Sequence, residues 1–184
     1  VGSEMCRRDS CYIVINEMTS ECFAVDMADC PQEFVKHIKD AGLCVKALLL
    51  THGHFDHIGT IKEFKEETIY LSHRDRDIYY DNAHIIKELS LIDFNQIKDL
   101  KNHQQIELGN FEIEVLALPG HTPGSMIFLD RQNKCIYTGD AIGSGCGVWL
   151  QLFHSLDLKT YHTALQQTID YLEKQGVDDT WHFW

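Results

Sequence analysis

Thr51-His52-Gly53-His54-Phe55-Asp56-His57 places three imidazoles and one carboxylate within six residues. Neutral imidazole is the commonest side-chain ligand for transition metals, and carboxylates often complete such sites. His52 and His54 stand two apart, so an extended loop turns both to one side, where they can share an ion. Asp56 and His57 follow where the loop passes into a helix, and can reach a second ion. Two ions roughly 3.5–4 Å apart form a clamp suited to hydrolysis, holding both the attacking oxygen and the reacting group. Gly53 lets the backbone approach the ions without a Cβ in the way.

Two further segments offer ligands. In Leu118-Pro119-Gly120-His121-Thr122-Pro123-Gly124-Ser125, His121 sits between two Gly/Pro turns at a strand end, which is a rigid mount. In Tyr137-Thr138-Gly139-Asp140-Ala141-Ile142-Gly143, Asp140 closes an apolar strand, where a carboxylate can bridge two cations. Taken alone, each segment also reads as an ordinary turn or cap. The remaining histidines His37, His73, His84, His103, His154 and His162 fall in helical or polar stretches and read as solvated or capping residues.

The elements that must position these groups are legible in part. Cys11 to Ile15 and Cys22 to Val25 alternate as two strands around a turn at Asn16 to Ser20. Pro31 stands at a helix-start position, Phe34, Ile38 and Ala41 mark an apolar face, and Gly42 is a stop. Val45 to Leu50 is a continuous apolar run of strand length, expected where both faces are buried, and the histidine loop follows directly. Ile58, Ile61 and Phe64 suggest a helix after that loop, and Thr68 to Leu71 a short strand. His73 to Leu100 is polar and mainly helical in pattern, with Ile85, Leu89 and Ile92 near helical spacing, and reads as an insertion or connecting region. Hairpins are expected at Gln105 to Leu118, around Gly109-Asn110, and at Ser125 to Tyr137. Asp157 to Gln175 is the clearest helix, with Leu158, Tyr161, Leu165, Ile169 and Leu172 on one stripe. The segment 177–184 reads as a last strand. Strand-rich halves with interspersed helices predict an α+β protein, its sheets covered by helices on their outer faces.

Composition bounds the partners. The 184 residues carry 16 Lys+Arg against 28 Asp+Glu, a net charge of −12, which argues against a general nucleic-acid binder. A hydrophobic content of 44% is a globular value, and no apolar run approaches the ~18 residues of a membrane span. Seven widely spaced cysteines, an odd number without a CxxC pair, read as reduced thiols of a cytoplasmic protein. The first ten residues lack the apolar stretch of a signal peptide.

Together, His52-Gly53-His54-Phe55-Asp56-His57, Gly120-His121-Thr122-Pro123-Gly124-Ser125 and Thr138-Gly139-Asp140 resemble the metallo-β-lactamase superfamily in order, loop position and separation. The resemblance runs from about Cys11 to the end. It implies a four-layer αββα sandwich forming a single domain over residues 1–184, with the site along one edge between the sheets. It implies that His52, His54 and His121 bind a first metal, that Asp56 and His57 bind a second, and that Asp140 bridges both. Asp26, ending the second strand, resembles the family's early aspartate that supports the histidine loop, although Met27-Ala28 replaces the usual Pro-Gly-like turn. The family's further histidine, due after the last strand, has no counterpart before Trp184. The natural C-terminal end is therefore expected to be absent, with His182 as the only substitute.

The function implied is a metal-dependent hydrolase. A metal-bridging hydroxide, oriented by Asp56 as the catalytic residue, would cleave an ester, thioester or related bond of a small molecule. The chain is similar to small thioester hydrolases of the hydroxyacylglutathione hydrolase type, but no basic cluster for glutathione is evident. Zinc is the expected metal, at two sites, and iron or manganese also suit the donor set. Two alternatives stand beside this reading: a non-haem iron oxygenase acting on thiol or persulfide substrates, and a non-catalytic metal-binding domain. Oligomeric state stays open. Ala141 to Leu150 is expected to form part of a pocket wall, with Phe55 and Trp149 as apolar contacts, or else to bury Trp149 in the core.

Overall fold

The computed structural model describes residues 3–5, 11–28, 32–85, 91–143 and 147–184. Pro31 lies outside them, as do Cys6, Cys30, Cys146, Leu89 and the part of the expected pocket wall at 144–146; the side chains of Phe34 and Ile85 are likewise not described.

Strands β1 (Ser3–Met5), β2 (Tyr12–Asn16), β3 (Glu21–Val25), β4 (Cys44–Leu49), β5 (Thr68–Leu71) and β6 (Lys98–Asp99) make one sheet in that spatial order. Strands β7 (Gln105–Leu108), β8 (Phe111–Ala117), β9 (Met126–Asp130), β10 (Cys135–Tyr137) and β11 (His182–Phe183) make the second, in the order β11-β10-β9-β8-β7. Helices α1 (Gln32–Asp40), α2 (Phe55–Ile58), α3 (Arg76–Ile85) and α4 (Leu158–Lys174) complete the α+β sandwich expected from the sequence.

Period-two alternation explains how the layers form. Along β4 and the residue after it, Leu48 and Leu50 enter an outer core with Val35 and Ile38 of α1, while Ala47 and Leu49 enter the core between the sheets. Strand β3 divides the same way: Cys22 and Ala24 face outward to the helix layer, Phe23 and Val25 inward. Phe23 meets Phe111 and Tyr137 edge-on, with ring centroids 5.0 and 6.2 Å apart, and so ties the two sheets together. A third core, with Leu116, Ile127, Leu129 and Ile136, lies against Tyr161 and Leu172 of α4. The continuous apolar runs of the sequence are thus strands with a core on each side.

Two expectations are corrected. The α4 stripe is rotated. The helix packs along Tyr161, Thr168 and Leu172, while Leu158 and Ile169 are 70% and 39% exposed. At 3.6 residues per turn these two lie about 60° and 80° round the helix from Tyr161. The helix after the histidine loop is interrupted. Helix α2 ends at Ile58 and a separate 3-10 turn spans Ile61–Phe64. The Met27 carbonyl accepts both the N–H and the hydroxyl of Thr60 (3.0 and 2.8 Å), taking the donor that would have continued α2. The segment after β5, expected as an insertion or connecting region, is a connection that also buries Asp75 and Asn82 beside the histidine loop.

Candidate metal centre

Five strands deliver the site at their C-terminal ends. Strands β3, β4 and β5 are mutually parallel, so Asp26, the His52 loop and the Ser72–Asp75 turn emerge on one side. In the other sheet β9 runs antiparallel to both β8 and β10, so the His121 loop and Asp140 also emerge together. The Met126 N–H donates to the Thr51 carbonyl (2.8 Å) and joins the two edges.

Asp26 anchors the first loop. It is fully buried and takes a positive φ of 44°, which a short acidic side chain tolerates better than most. Its Oδ1 accepts the Thr51 N–H (2.7 Å), and its Oδ2 accepts the Thr51 hydroxyl (2.6 Å) and His57 Nδ1–H (2.9 Å). The supporting role suggested for Asp26 is therefore visible as three hydrogen bonds.

These contacts also decide which ring nitrogens carry protons. The Thr51 hydroxyl spends its proton on Asp26, so it accepts from His52 Nδ1–H (3.1 Å). His121 Nδ1–H donates to the Trp149 carbonyl (2.9 Å). In His52 and His121 alike, Nε2 is left as a lone pair facing inward, while His57 turns its Nε2 toward Asp140. His54 turns its Nδ1 to within 3.0 Å of His121 Nε2.

The lone pairs converge in two sets. Ligand atoms of His52, His54 and His121 lie within 4.8 Å of one another, and so do those of His52, Asp56 and His57. Asp140 stands between the sets, its Oδ1 3.5 Å from His57 Nε2 and its Oδ2 3.5 Å from His121 Nε2. The structure therefore brings together all six residues singled out in the sequence. His182 is not among them. It lies opposite Cys135 at the start of β10, exposed and well before the strand reaches Asp140.

The donor set fits a metal on a specific observation: His52 Nε2 is buried without a hydrogen-bond partner. A buried orphan lone pair costs free energy unless something accepts it, and a cation does so. The local electrostatics agree. Burial, reinforced by the neighbouring imidazoles, pushes His52 well below the ordinary range, and burial together with His121 takes His54 down to about 4. Both rings stay neutral at pH 7, the state that binds metal. For His57, burial acts downward but is outweighed by Asp26 and Asp140, which raise it. Asp140 moves the other way: burial would raise it, but His57 and the other imidazoles hold it below the usual carboxylate range.

Asp75 and Asn82 went unnoticed in the sequence. The buried Asp75 carboxylate accepts the Gly53 N–H (3.0 Å) and the Thr122 hydroxyl (2.7 Å) on Oδ2, and the Gly124 N–H (2.6 Å) on Oδ1. It clamps the two histidine loops to each other. Asn82 donates to the Gly53 carbonyl, so the Gly53 peptide is held from both sides. A Cβ on Gly53 would lie 3.1 Å from the Asp75 Cβ, so the close approach this glycine permits is to Asp75, not to the ions. The available signal was position: an acidic residue four past the end of a buried strand parallel to β4. Gly139 has a comparable reason, since its φ is +49° and an added Cβ would meet the Thr51 hydroxyl at 2.3 Å.

A cavity of about 620 Å³ opens over these groups. His54, Asp56, His121 and Asp140 lie along it, and Phe55 and Trp149 form part of its wall. Trp149 is 62% exposed, so the core-packing alternative for it does not hold.

The family model of the metallo-beta-lactamase superfamily matches residues 30–179. The chain belongs to this superfamily. Among curated relatives, the probable metallo-hydrolase YqgX of Bacillus subtilis is 26% identical over 141 residues, 73% of this chain and 66% of that protein. Hydroxyacylglutathione hydrolase GloC of Haemophilus influenzae is 31% identical over 127 residues, 62% of this chain and 58% of that protein. The chain thus spans less than two thirds of the length of either. Among solved structures, TTHA1623 in a di-iron-bound form superposes with a TM-score of 0.73 at 23% identity, covering 92% of this chain and 86% of that one. That likeness establishes the fold.

Proposed function

We propose that this superfamily domain is a metal-dependent hydrolase that cleaves an ester, thioester or related bond of a small molecule. The observation that carries the proposal is Asp140, whose two oxygens each approach a different imidazole set at the floor of an open cavity. In this reading His52, His54 and His121 would hold one ion and Asp56 and His57 a second, with Asp140 within reach of both sets. Ions held there supply Lewis-acid chemistry, acidifying water and polarising a carbonyl oxygen.

The protein's own groups do the rest. Asp56 is exposed to the cavity and accepts a hydrogen bond from the attacking water, fixing its approach. Asp26, through Thr51 and His57, and Asp75, through Gly53 and Gly124, keep the imidazoles from turning away. The apolar cavity wall offers a surface for the part of the substrate beside the scissile group. No serine or cysteine nucleophile is needed.

The nitrogen and oxygen donors suit zinc and also accept iron or manganese. That residues 1–184 form one such domain is part of the same proposal.

Metal analysis of the freshly purified protein, followed by ester, thioester, lactone and phosphoester panels, tests it. Stoichiometric zinc with hydrolysis of one class is expected. Stoichiometric iron with oxygen consumption on a persulfide would instead make the protein an oxygenase. Bound metal with no turnover on any panel would leave a binding domain.

A further inference from the structure

The cavity over the candidate metal centre is built mainly of hydrocarbon. Phe55, Ile78, Trp149, Leu152 and Phe153 line it, and four of these are well exposed: Phe55 at 43%, Trp149 at 62%, Leu152 at 38% and Phe153 at 94%. Several large apolar side chains held toward solvent around one opening mark a binding surface. They adjoin His54, Asp56, His121 and Asp140 in the same cavity, so whatever they hold lies beside the candidate centre.

The charged groups of the cavity point to the class of ligand. No lysine or arginine lines it among the described residues, whereas Asp56, Asp81 and Asp140 do. Among the described residues, His154 is the one basic side chain at the rim outside the candidate ligands, and its Nε2 is engaged by Asp81 at 2.9 Å. Asp56 and Asp140 belong to the candidate centre, so away from it a substrate bearing carboxylates would meet Asp81 and no lysine or arginine among the described residues. We infer that the cavity accepts an uncharged, apolar group, and that the substrates are esters or thioesters with an aliphatic or aromatic acyl chain and a neutral carrier, not anionic glutathione conjugates. This rests on the hydrolase reading for the bond cleaved, but not for the chemistry of the wall.

Binding to the metal-loaded protein tests the inference without turnover. The probes are S-butyl, S-hexyl and S-octyl thioethers of N-acetylcysteamine, which are neutral and inert to hydrolysis, and S-octylglutathione, which has the same chain and two carboxylates. Calorimetry is expected to show Kd falling about twofold to fourfold per methylene. The neutral octyl ligand is expected to bind roughly tenfold more tightly than its glutathione counterpart. Trp149→Ala and Phe153→Ser should flatten the chain-length slope, and Asp81→Lys should narrow the difference between the two octyl ligands. Affinity independent of chain length, or tighter binding of S-octylglutathione, would overturn the inference. Turnover of the matching acyl thioesters separates it from the hydrolase reading. A chain preference in binding without hydrolysis removes the hydrolase alone, while hydrolysis without a chain preference removes the apolar-acyl assignment alone.

Discussion

Asp56 is the exposed member of a set whose histidine partners, His52 and His57, are buried. Its removal should therefore touch chemistry and leave the fold intact. Asp56→Ala is expected to lower kcat on the hydrolysed substrate at least about 100-fold. Its melting curve should stay within about 0.5 kcal/mol of the parent. Near-normal turnover with metal still bound would remove Asp56 from the mechanism. Asp75 is the opposite case, buried and silent in sequence. Asp75→Ala strands the Gly53, Gly124 and Thr122 donors and is expected to cost about 3–5 kcal/mol in denaturant unfolding. The milder Asp75→Asn keeps the shape but presents an amide donor to donors, and should weaken metal binding about tenfold or more in a competition titration. Lost stability with unchanged metal affinity would limit Asp75 to a structural role.

At the level of elements, α4 is fastened to the second sheet by Glu114 on β8. Its side chain is 3% exposed and accepts hydrogen bonds from Tyr171 of α4 and from Arg131, with His103 at 3.5 Å. Burial pushes this carboxyl upward, yet Tyr171 and Arg131 together hold it below its ordinary value of 4.5. The sign of the pH effect follows. The folded state favours the carboxylate more than the unfolded chain does, so the contribution is complete above about pH 4.5 and is lost as pH falls through the lower folded value. Glu114→Gln should cost about 1–2 kcal/mol at pH 7. That deficit should shrink as pH falls below about 4.5, as measured by urea unfolding across pH. A deficit that does not change with pH would mean that packing, not charge, fastens α4. The α4 stripe was readable from its periodicity, but its rotation was not. Apolar spacing defines a face about 100° wide, and only the partner sheet selects the line of contact within it.

At the scale of the whole molecule, the site exists only when both sheets are in place. Asp26, His52 and Asp75 come from one sheet, His121 and Asp140 from the other. Metal bound there would cross-link the two and so stabilise the folded state and not the unfolded chain. Removing it with a chelator is expected to cost about 4 kcal/mol at a metal concentration a thousand times Kd. In calorimetry this corresponds to a melting temperature lower by roughly 10 °C. An unchanged melting temperature after verified metal removal would place the ions outside the folded core. No helix among the described residues is long and apolar enough to cross a membrane.

Four of the six candidate ligands were legible because His52 to His57 gather metal-binding donor types within one loop, whereas His121 and Asp140 stood out only through the family resemblance of their segments. The β4 run and the two hairpins of the second sheet were legible for a local reason too: alternation and turn chemistry act between near neighbours. What tertiary structure alone decided depends on contacts between residues far apart. His52 Nε2 is a bare lone pair because Asp26, distant in sequence, takes the Thr51 proton. The two histidine loops share a clamp because a parallel strand happens to deliver Asp75 between them. The cavity wall is largely apolar because Phe55, Ile78 and Trp149, remote from one another in the chain, close around one opening. Donor identity is a property of the residue, whereas proton placement, loop rigidity and cavity chemistry belong to what each residue is packed against.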